Sequence, residues 1–222
     1  MESHIVKIRS IKKVTHDVLG IILDKPANYL FTPGQATEVA INKEGWTGEK
    51  RPFTFTNLPG DDHLEFTIKT YPSHKGVTNE LLKLVPGDEL ILHDVWGAIS
   101  YKGPGVFIAG GAGITPFLAI FRYLRSINKA RGNQLIFANK TRADIICEKE
   151  LKELLGDALI NILSDETQAG YEQGMITENF LRKYITGFDL FFYVCGPPPM
   201  MNAVQKSLAS LGVGNNSVVV EI

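Results

Sequence analysis

Val106-Phe-Ile-Ala-Gly-Gly-Ala-Gly-Ile-Thr-Pro116 is the segment that most clearly indicates the fold of the carboxyl-terminal half. Its first residues form an uninterrupted apolar run, which is typical of a strand buried on both faces of a parallel sheet. Three glycines follow, and Thr115 and Pro116 then suit the N-cap and the first position of a helix. Glycines let a backbone approach a ligand closely, and the free N–H groups of a helix start attract phosphates. A tight strand–helix turn without a ligand is the alternative, because such turns are common.

The glycine spacing separates this loop from two common phosphate-binding motifs. It is not G-x-G-x-x-G, and no Gly-Lys-Ser/Thr follows as a P-loop requires. Beyond it, apolar strands and helical segments alternate, which is typical of a parallel sheet covered by helices. We predict a parallel five-stranded α/β domain, with strands at Val106–Gly110, Gln134–Ala138, Leu159–Leu163, Leu190–Val194 and Ser217–Glu221, and helices starting at Pro116 and spanning Glu148–Leu155, Glu178–Tyr184 and Met200–Leu211.

The amino-terminal half has a different pattern. Up to about Ile99, short alternating segments are separated by turns such as Pro59-Gly-Asp61, which predicts an antiparallel six-stranded β-barrel. A short helix is expected at Asn79–Leu84, capped by Thr78. A link near Ser100–Pro104 divides the chain into domains of residues 1–100 and 101–222. Examples of the expected strands are His4–Ser10, Val18–Leu23, Ala36–Ile41, His63–Lys69 and Glu89–His93.

Composition excludes several classes of protein. The formal net charge of −1 and the absence of a lysine- or arginine-rich run argue against nucleic-acid and membrane-surface partners. The amino terminus lacks the apolar run of a signal peptide, and no apolar stretch approaches the roughly 20 residues of a membrane span. Cys147 and Cys195 have neither pairing nor metal-site spacing, and the five histidines are scattered, so we expect no metal and a reducing, cytoplasmic location. Cys147 is expected to be a small buried residue.

A second distinctive cluster is Cys195-Gly-Pro-Pro-Pro-Met-Met201, which follows an apolar strand and precedes a helix. The consecutive prolines fix the backbone and place the cysteine at the carboxyl edge of the sheet. Ligands bind at that edge in open parallel sheets. A rigid turn with a buried cysteine is the alternative.

Two further motifs lie in the barrel half. Arg51-Pro-Phe-Thr-Phe-Thr56 offers a guanidinium fork for a phosphate, a ring for stacking and hydroxyls for hydrogen bonds. In isolation it is also compatible with a plain strand carrying a solvated arginine. Lys75-Gly-Val-Thr-Asn-Glu-Leu81 opens a helix whose dipole can attract an anion, although a simple helix cap explains it equally well.

Taken together, the motifs resemble those of the ferredoxin–NADP reductase superfamily, in the same order and over nearly the whole chain. Arg51-Pro-Phe-Thr54 is similar to that family's Arg-x-Tyr-Ser/Thr flavin motif, and Lys75-Gly-Val-Thr78 to the element that holds the flavin pyrophosphate. The loop from Gly110 to Pro116 resembles the nucleotide pyrophosphate loop, and Cys195–Met200 the nicotinamide-side motif. The turns Phe31-Thr-Pro-Gly-Gln35 and Pro86-Gly-Asp88 also match. Six motifs in register are strong support for the resemblance.

The resemblance implies a bound flavin, FAD by family habit with FMN possible. Thr54 would hydrogen-bond the flavin ring nitrogen that accepts hydride, Arg51 would neutralise flavin phosphate, and Tyr71 could stack on the adenine. The expected flavin-binding residues are Arg51, Pro52, Phe53, Thr54, Ile68, Lys69, Thr70, Tyr71, Lys75, Gly76, Val77 and Thr78.

The resemblance also implies a reduced nicotinamide nucleotide, NADH or NADPH, as the reductant. Thr54, Cys195 and Glu221 are the expected catalytic residues, with Cys195 as a wall of the nicotinamide pocket. The expected nucleotide-binding residues are Gly111, Gly113, Ile114, Thr115, Pro116, Asn139, Lys140, Ser164, Asp165, Cys195, Gly196, Pro197, Pro198 and Met200.

Two departures from the family pattern affect the flavin. Phe53 replaces the usual tyrosine and lacks its hydroxyl, so a hydrogen bond near the ribityl chain is missing. The sequence ends at Glu221-Ile222, whereas many relatives carry an aromatic residue there that covers the flavin. Glu221 resembles a glutamate near the nicotinamide in some relatives, and a solvated terminal acid is the alternative.

The choice of nucleotide depends on residues after the second and third strands of the parallel sheet. NADPH-preferring relatives often have Ser-Arg after the third strand, where this sequence has Ser164-Asp165-Glu166. An acid there repels a phosphate dianion, which favours NADH. Lys140 and Arg142 could still approach such a phosphate, although a solvated basic pair is the commoner role of such residues.

The resemblance therefore implies an oxidoreductase, a monomer, that passes electrons from NAD(P)H through FAD to a flavodoxin, a ferredoxin or an oxygenase component. Reduction of free flavin or a quinone is one alternative. Another is a non-catalytic electron-transfer subunit of a larger complex, but two distant cysteines cannot hold the iron–sulfur cluster usual in such subunits.

Overall fold

The computed structural model describes residues 3–97 and 99–220. The chain divides into two compact units, Met1–Ser100 and Tyr101–Ile222. Within the part of the chain that the structure describes, no helix combines the length and the apolar character that crossing a membrane requires.

The first unit is built on one antiparallel sheet in the order β4-β3-β6-β1-β2-β5. Just beyond β4, Phe55 bridges to Phe66 of β5, and the N–H of Thr56 donates to the carbonyl of Glu65 at 2.8 Å. These contacts join the two ends of the sheet and confirm the predicted six-stranded antiparallel fold. The strands are β1 (His4–Thr15), β2 (Val18–Asp24), β3 (Ala36–Ile41), β4 (Arg51–Thr54), β5 (His63–Lys69) and β6 (Glu89–Trp96).

The core of the first unit centres on three aromatic rings. The rings of Phe31 and Phe55 stack with centroids 4.3 Å apart, and Phe66 lies 5.2 Å from Phe55. Phe55 and Phe66 are fully buried. Burying each such ring contributes roughly 1.5–3 kcal/mol, which makes this cluster a main stabiliser of the sheet.

The helix of the first unit starts earlier than expected. Helix α1 spans Val77–Glu80 and continues as a 3-10 turn at Leu81–Lys83. Gly76, in an extended conformation, is its N-cap, so the prediction of Thr78 as N-cap is wrong. Thr78 lies inside the first turn, because the chain enters the helix as soon as Gly76 ends the preceding loop.

The second unit is a parallel sheet in the order β10-β9-β8-β7-β11-β12. It has six strands rather than the predicted five, because the two-residue edge strand β10 is too short to leave a pattern in the sequence. The elements are β7 (Gly105–Gly110), α2 (Thr115–Ser126), β8 (Gln134–Asn139), α3 (Glu148–Leu155), β9 (Leu159–Leu163), β10 (Glu172–Gln173), α4 (Glu178–Tyr184), β11 (Phe191–Cys195), α5 (Pro198–Ser210) and β12 (Val218–Val220).

The centre of this sheet is apolar on both faces, as its sequence predicts. Every residue of β7 is buried, and the rings of Phe107 and Tyr193 stack with centroids 4.2 Å apart. The buried Tyr193 hydroxyl accepts from the N–H of Lys102 at 2.9 Å and donates to the carbonyl of Gly103 at 2.8 Å. Its burial is therefore not penalised by a lost hydrogen bond.

Three local predictions in the second unit need correction. A 3-10 turn at Gly111–Ile114 precedes α2, so Thr115 is a helical residue rather than the N-cap, and its hydroxyl donates to the carbonyl of Ala112 at 3.0 Å. Helix α5 begins at Pro198, two residues before the predicted start, because a proline needs no N–H partner in a first turn. Cys147 is only half-buried and adopts a left-handed conformation with φ of 53°.

Candidate functional site

The two glycine- and proline-rich loops of the second unit meet at the carboxyl edge of its sheet. Strands β7 and β11 are neighbours, with Cys195 in register with Ala109. A Cβ atom placed on Gly113 would lie 2.6 Å from the backbone nitrogen of Gly196 and closer still to the carbonyl of Cys195. Only glycine fits there, because that contact is between backbones and cannot relax as a flexible side chain can.

Gly110 makes a second close contact between the same loops. A Cβ there would lie 2.5 Å from the sulfur of Met200 and 2.9 Å from Cδ of Pro197. Pro198 starts α5 directly behind this contact. The loop Gly110–Pro116 and the segment Cys195–Met200 therefore form one structural unit, as the sequence motifs predict.

The edge between these loops has the features of an anion cradle. Gly111 has φ of 51°, a left-handed conformation that favours glycine, and a Cβ on it would meet nothing within 4 Å. The N–H of Thr115 donates to the carbonyl of Ala112, so the N–H groups without partners inside the helical segment are those at the start of the 3-10 turn Gly111–Ile114. The open space and the free donors fit the pyrophosphate of a dinucleotide. Ile114 and Pro116 are buried, so they support the loop from below.

The ends of β8 and β9 form the adjacent part of this edge. The N–H of Ser164 donates to the carbonyl of Asn139 at 3.0 Å, and that of Asp165 to Lys140 at 2.9 Å. These bonds bring four predicted nucleotide residues together. The Ser164 hydroxyl donates to Asp165 Oδ1 at 2.6 Å, so the acid is held beside the strand end.

The side chain of Asn139 is buried with 8% exposure at the end of β8. Neither its amide nitrogen nor its amide oxygen has a hydrogen-bond partner among the described residues. A buried amide without partners is costly, which is compatible with a position that receives a ligand or an ordered water.

The nearby cation Arg142 is engaged by protein groups. Its Nε lies 3.7 Å from Glu148 Oε2, and its guanidinium lies over the ring of Tyr171 at 5.8 Å. Its backbone N–H donates to Glu166 Oε2 at 2.7 Å, which fixes a second acid near this strand end. Burial and the hydrogen bond to Glu148 raise the pKa of Tyr171, so this phenol stays protonated and donates.

Sequence reasoning missed Met175 at this edge. It follows β10 and is 68% exposed, the N–H of its neighbour Gly174 donating to the carbonyl of Leu163 at 2.8 Å. An exposed thioether beside the end of β9 is a potential platform for a flat ring. The short strand β10 that precedes it gave no signal in the sequence.

In the first unit, β4 positions the predicted flavin motif. It pairs with β3, with Thr54 opposite Ala36 and Phe53 opposite Thr37. Thr54 is buried with 8% exposure, and Phe53 packs half-buried against the core. Arg51 is exposed, donates to the carbonyl of Lys50 at 2.6 Å and retains further donors for a phosphate.

The predicted flavin-binding residues at the end of β5 have different environments: one lies in the core and the next two contact Asp17. The side chain of Ile68 is buried, so it can offer a ligand only its backbone. The Lys69 ammonium lies 2.7 Å from Asp17 Oδ2, and the Thr70 hydroxyl donates to the carbonyl of Asp17 at 2.9 Å. Burial opposes ionisation of Asp17, but the hydrogen bond and charge of Lys69 outweigh it and lower its pKa.

The remaining flavin candidates lie on the loop into α1. Tyr71 is exposed and stacks on His74 with centroids 5.6 Å apart. Lys75 is exposed, and a Cβ on Gly76 would meet nothing within 4 Å, so an approaching ligand has room. Val77 is buried and anchors the helix, with Thr78 half-buried beside it. The predicted catalytic residue Glu221 lies outside the described residues.

Comparisons with known proteins agree with flavin-binding residues in the first unit and nucleotide-binding residues in the second. Residues 3–104 match an FAD-binding domain, and residues 107–206 match an oxidoreductase NAD-binding domain. NADH-cytochrome b5 reductase 1 of Neosartorya fischeri is 30% identical over 213 residues, covering 86% of this chain and 68% of that protein.

Two other proteins extend the comparison. The electron transfer component of 2-halobenzoate 1,2-dioxygenase from Burkholderia cepacia is 28% identical over 200 residues, covering 86% of this chain and 58% of that protein. The CS-b5R domains of human Ncb5or in the NAD+ form share 26% identity at a TM-score of 0.87, covering all of this chain and 70% of that one. The chain thus spans less than two thirds of the oxygenase components that it matches.

The chain has an FAD-binding domain followed by an NAD-binding domain. These matches confirm the resemblance drawn from the six sequence motifs: the chain belongs to the ferredoxin–NADP reductase superfamily of flavin- and nicotinamide-dependent oxidoreductases.

Proposed function

We propose that this protein takes electrons from NADH onto bound FAD and passes them to a separate one-electron acceptor. The main support for the proposal is the backbone contact between Gly113 and Cys195, which places both nucleotide motifs together at the carboxyl edge of the parallel sheet. Residues 1–100 would be the flavin-binding domain and residues 101–222 the nucleotide-binding domain.

FAD, when bound, supplies the redox chemistry, because a flavin accepts a pair of electrons and releases them singly. The protein's own residues bind and orient. The Thr54 hydroxyl would hydrogen-bond the edge of the flavin ring, and Arg51 and the loop at Gly76 would hold phosphate. Phe53 offers an apolar ring without the hydroxyl of the usual tyrosine.

In the second unit, the open space at Gly111 and the N–H groups at the start of the 3-10 turn that precedes α2 would hold the nucleotide pyrophosphate. Cys195, which is 2% exposed at the end of β11, would limit the nicotinamide pocket. Asn139 would hydrogen-bond the nucleotide, and Met175 would lie against its adenine. Close packing of Gly110 against Met200 keeps the relative position of the two loops fixed.

Electrostatics at the ends of β8 and β9 favours NADH over NADPH. Asp165 is held by Ser164, and Glu166 by the N–H of Arg142. Both acids would face the extra phosphate of NADPH, whereas they tolerate the ribose hydroxyls of NADH. Arg142 is engaged with Glu148 and Tyr171, which leaves Lys140 as the nearest exposed cation among these residues.

The acceptor is proposed by analogy with the oxygenase reductases. The Burkholderia cepacia relative is an electron transfer component of a dioxygenase, and other relatives are reductase components of propane 2-monooxygenase. An oxygenase component is therefore the first candidate, and a ferredoxin or flavodoxin the second. A cytoplasmic location is also proposed, since the sequence has only two cysteines and they lie in separate segments.

The test is an absorption spectrum of the purified protein, followed by anaerobic titration with NADH and, separately, NADPH. A flavin spectrum that bleaches with NADH at a lower concentration than with NADPH supports the proposal. A protein that stays colourless after incubation with FAD and FMN, or a bound flavin that neither nucleotide reduces, overturns it.

A further inference from the structure

The parallel sheet of the second unit has an edge strand that is only partly paired. Strand β9 pairs with β8 along its whole length, from Leu159 to Leu163. On the other side of β9, the short strand β10 pairs only with Ile162 and Leu163. Among the described residues, the first half of β9 therefore has a neighbouring strand on one side only. An unpaired strand edge is a template for an added strand.

The hydrogen bonds at the end of β9 show which of its residues face this edge. In a parallel ladder, successive residues direct their backbone groups to opposite sides of the strand. The N–H of Ser164 donates to Asn139 of β8, whereas the carbonyl of Leu163 accepts from Gly174, just beyond β10. The even-numbered residues of β9 therefore bond to β8. The odd-numbered residues direct their backbone groups to the edge.

One acceptor and one donor are left over at the unpaired half of the edge. The N–H of Leu159 donates to the carbonyl of Gly156. Pairing of Ile162 with Glu172 takes the carbonyl of Asn161 into the ladder with β10. The carbonyl of Leu159 and the N–H of Asn161 remain, and neither has a partner in the part of the chain that the structure describes. This pair is what one more strand would use.

A cleft of about 610 Å³, which we call the edge cleft, lies along the same half of β9. Residues 159–161 line it, together with residues 168–171 of the segment that leads into β10. Helix α3 contributes Glu148, Lys152 and Gly156 just after its end, which are spaced by four and so lie on one side of the helix. A cleft of this size is typical of a ligand site.

Lys152 is the charge in the edge cleft that is left unpaired. The Glu148 carboxylate pairs with Arg142 at 3.7 Å, and that of Glu172 accepts from Lys183 Nζ at 2.9 Å. Lys152 is exposed and has no ion-pair partner within residues 3–97 and 99–220. The edge cleft therefore favours an occupant that carries one negative charge.

The position of Lys152 sets the direction of an added strand. The Asn161 amide donates to Glu148 Oε1 at 3.4 Å, which places the start of α3 beside the middle of β9. Lys152 lies one turn further along α3, about 6 Å towards the amino end of β9. A strand whose carboxyl end meets Lys152 therefore runs antiparallel to β9. In that direction the carbonyl of Leu159 accepts from one of its residues, and the N–H of Asn161 donates to the residue two positions earlier.

We propose that the edge cleft binds the carboxyl-terminal residues of an extended polypeptide, which add to β9 as a short strand. A peptide backbone supplies the donor and the acceptor that the edge lacks, and its terminal carboxylate supplies the charge for Lys152. A Cβ on Gly156 or Gly170 would meet nothing within 4 Å, so the cleft has room for side chains of the occupant. A small free carboxylate would satisfy the cation alone. The site goes beyond the proposed redox function and does not depend on it.

The experiment titrates the isotope-labelled full chain with a short peptide of Ser, Thr and Val, acetylated at its amino end, and follows backbone amide signals by NMR. The same peptide with a carboxamide end is the probe control. The signals of Leu159 and Asn161 should shift, and hydrogen exchange of the Asn161 amide should slow, because its N–H gains an acceptor. The free acid should bind about two- to fivefold more tightly than the carboxamide, as for an exposed ion pair.

Two pairs of variants separate charge from space. Lys152→Gln should bind the free acid and the carboxamide equally, because the partner of the carboxylate is gone. Lys149→Gln changes an exposed lysine of α3 outside the edge cleft and should keep the preference for the acid. Ala169→Trp fills part of the cleft and should weaken the binding of both peptides. Ala209→Trp, at an exposed position of α5, should leave their binding unchanged.

Equal binding of the acid and the carboxamide by the unaltered protein would overturn the proposal. So would binding that leaves hydrogen exchange of the Asn161 amide unchanged, since no strand would then have formed. Acetate that gives the same shifts at the same concentration would mean a site for small carboxylates only, and would also overturn it. None of these outcomes bears on whether NADH reduces the flavin.

Discussion

The α-carbon of Gly113 lies against the carbonyl group of Cys195, so that the loop after β7 and the loop after β11 share one backbone contact. The two residues are far apart in the sequence but meet because β7 and β11 are adjacent strands. The position of the glycine loop therefore depends on the proline-rich segment and not only on its own sequence.

Gly113→Ala should displace both loops, because the added methyl group has no room. We expect a loss of stability of about 1–3 kcal/mol, the usual cost of overpacking, together with a weaker response to NADH. Urea denaturation and anaerobic NADH titration measure the two effects. Gly187→Ala is the matched control, since a Cβ there meets nothing within 4 Å. Equal behaviour of the two variants would contradict the proposed role of this contact.

Asp17→Asn should destabilise the first unit at neutral pH by about 1–2 kcal/mol, between the values for exposed and buried ion pairs. The pKa of Asp17 is lowered in the folded protein, so its contribution is present above the unfolded pKa of about 3.9 and is lost as the pH falls through the folded value. The stability difference between the two proteins should therefore vanish in acid. Asp24→Asn, which removes a more exposed partner of Arg9, should have a smaller effect.

His93→Phe should make stability less sensitive to mild acid. Burial, followed by the positive charge of Lys50, lowers the pKa of His93, and its Nε2 has no hydrogen-bond partner among the described residues. At this histidine the unfolded chain binds a proton more readily than the folded protein does. The free energy of unfolding therefore has its full value above about pH 6.5 and declines as the pH falls below it. Melting temperatures across pH 5–8, a range spanning that value, measure this slope. His74→Phe, at an exposed position, is the control, and the idea fails if both variants flatten the profile equally.

Asp165→Asn should shift nucleotide preference towards NADPH. Removing one charge near a phosphate relieves a repulsion of about 1 kcal/mol or more, so kcat/KM for NADPH relative to NADH should rise roughly fivefold or more. Asparagine keeps an acceptor for the Ser164 hydroxyl, which separates charge from geometry. Asp157→Asn removes an exposed acid between α3 and β9 and should leave the ratio unchanged. An unchanged ratio of kcat/KM for Asp165→Asn would show that this acid does not determine the nucleotide preference.

Local signals in the sequence located most regular elements, although β1 continues to Thr15, beyond the predicted end at Ser10. The strands Ala36–Ile41 and His63–Lys69 and the helix Glu148–Leu155 have the predicted bounds, because alternation and helical periodicity extend over their whole length. The two-residue strand β10 is too short for any period, so it and the exposed Met175 after it were missed. Helices α1 and α2 begin earlier than predicted, because Gly76 and the turn at Gly111–Ile114 determine where helical geometry begins.

The same distinction between local sequence signals and tertiary context applies to the candidate site. Motifs at strand ends could be located, since a glycine loop or a proline run is contiguous in the sequence. The environment of single side chains could not be predicted from the sequence. The pairing of Lys69 with Asp17 and the engagement of Arg142 by Glu148 depend on tertiary neighbours, and both change what those cations can offer a ligand.

The sheet order of the second unit has a consequence for synthesis on the ribosome. The central strand β7 is flanked by β8, which follows soon after it, and by β11, which is translated much later. The first unit lies wholly within Met1–Ser100 and can fold while the rest is still being made. A nascent chain that has not reached Phe191 leaves one edge of β7 without its neighbouring strand, although Phe117 and Phe121 of α2 can already pack on Phe107. We expect aggregation and chaperone capture during that interval, because an unpaired strand edge is prone to both.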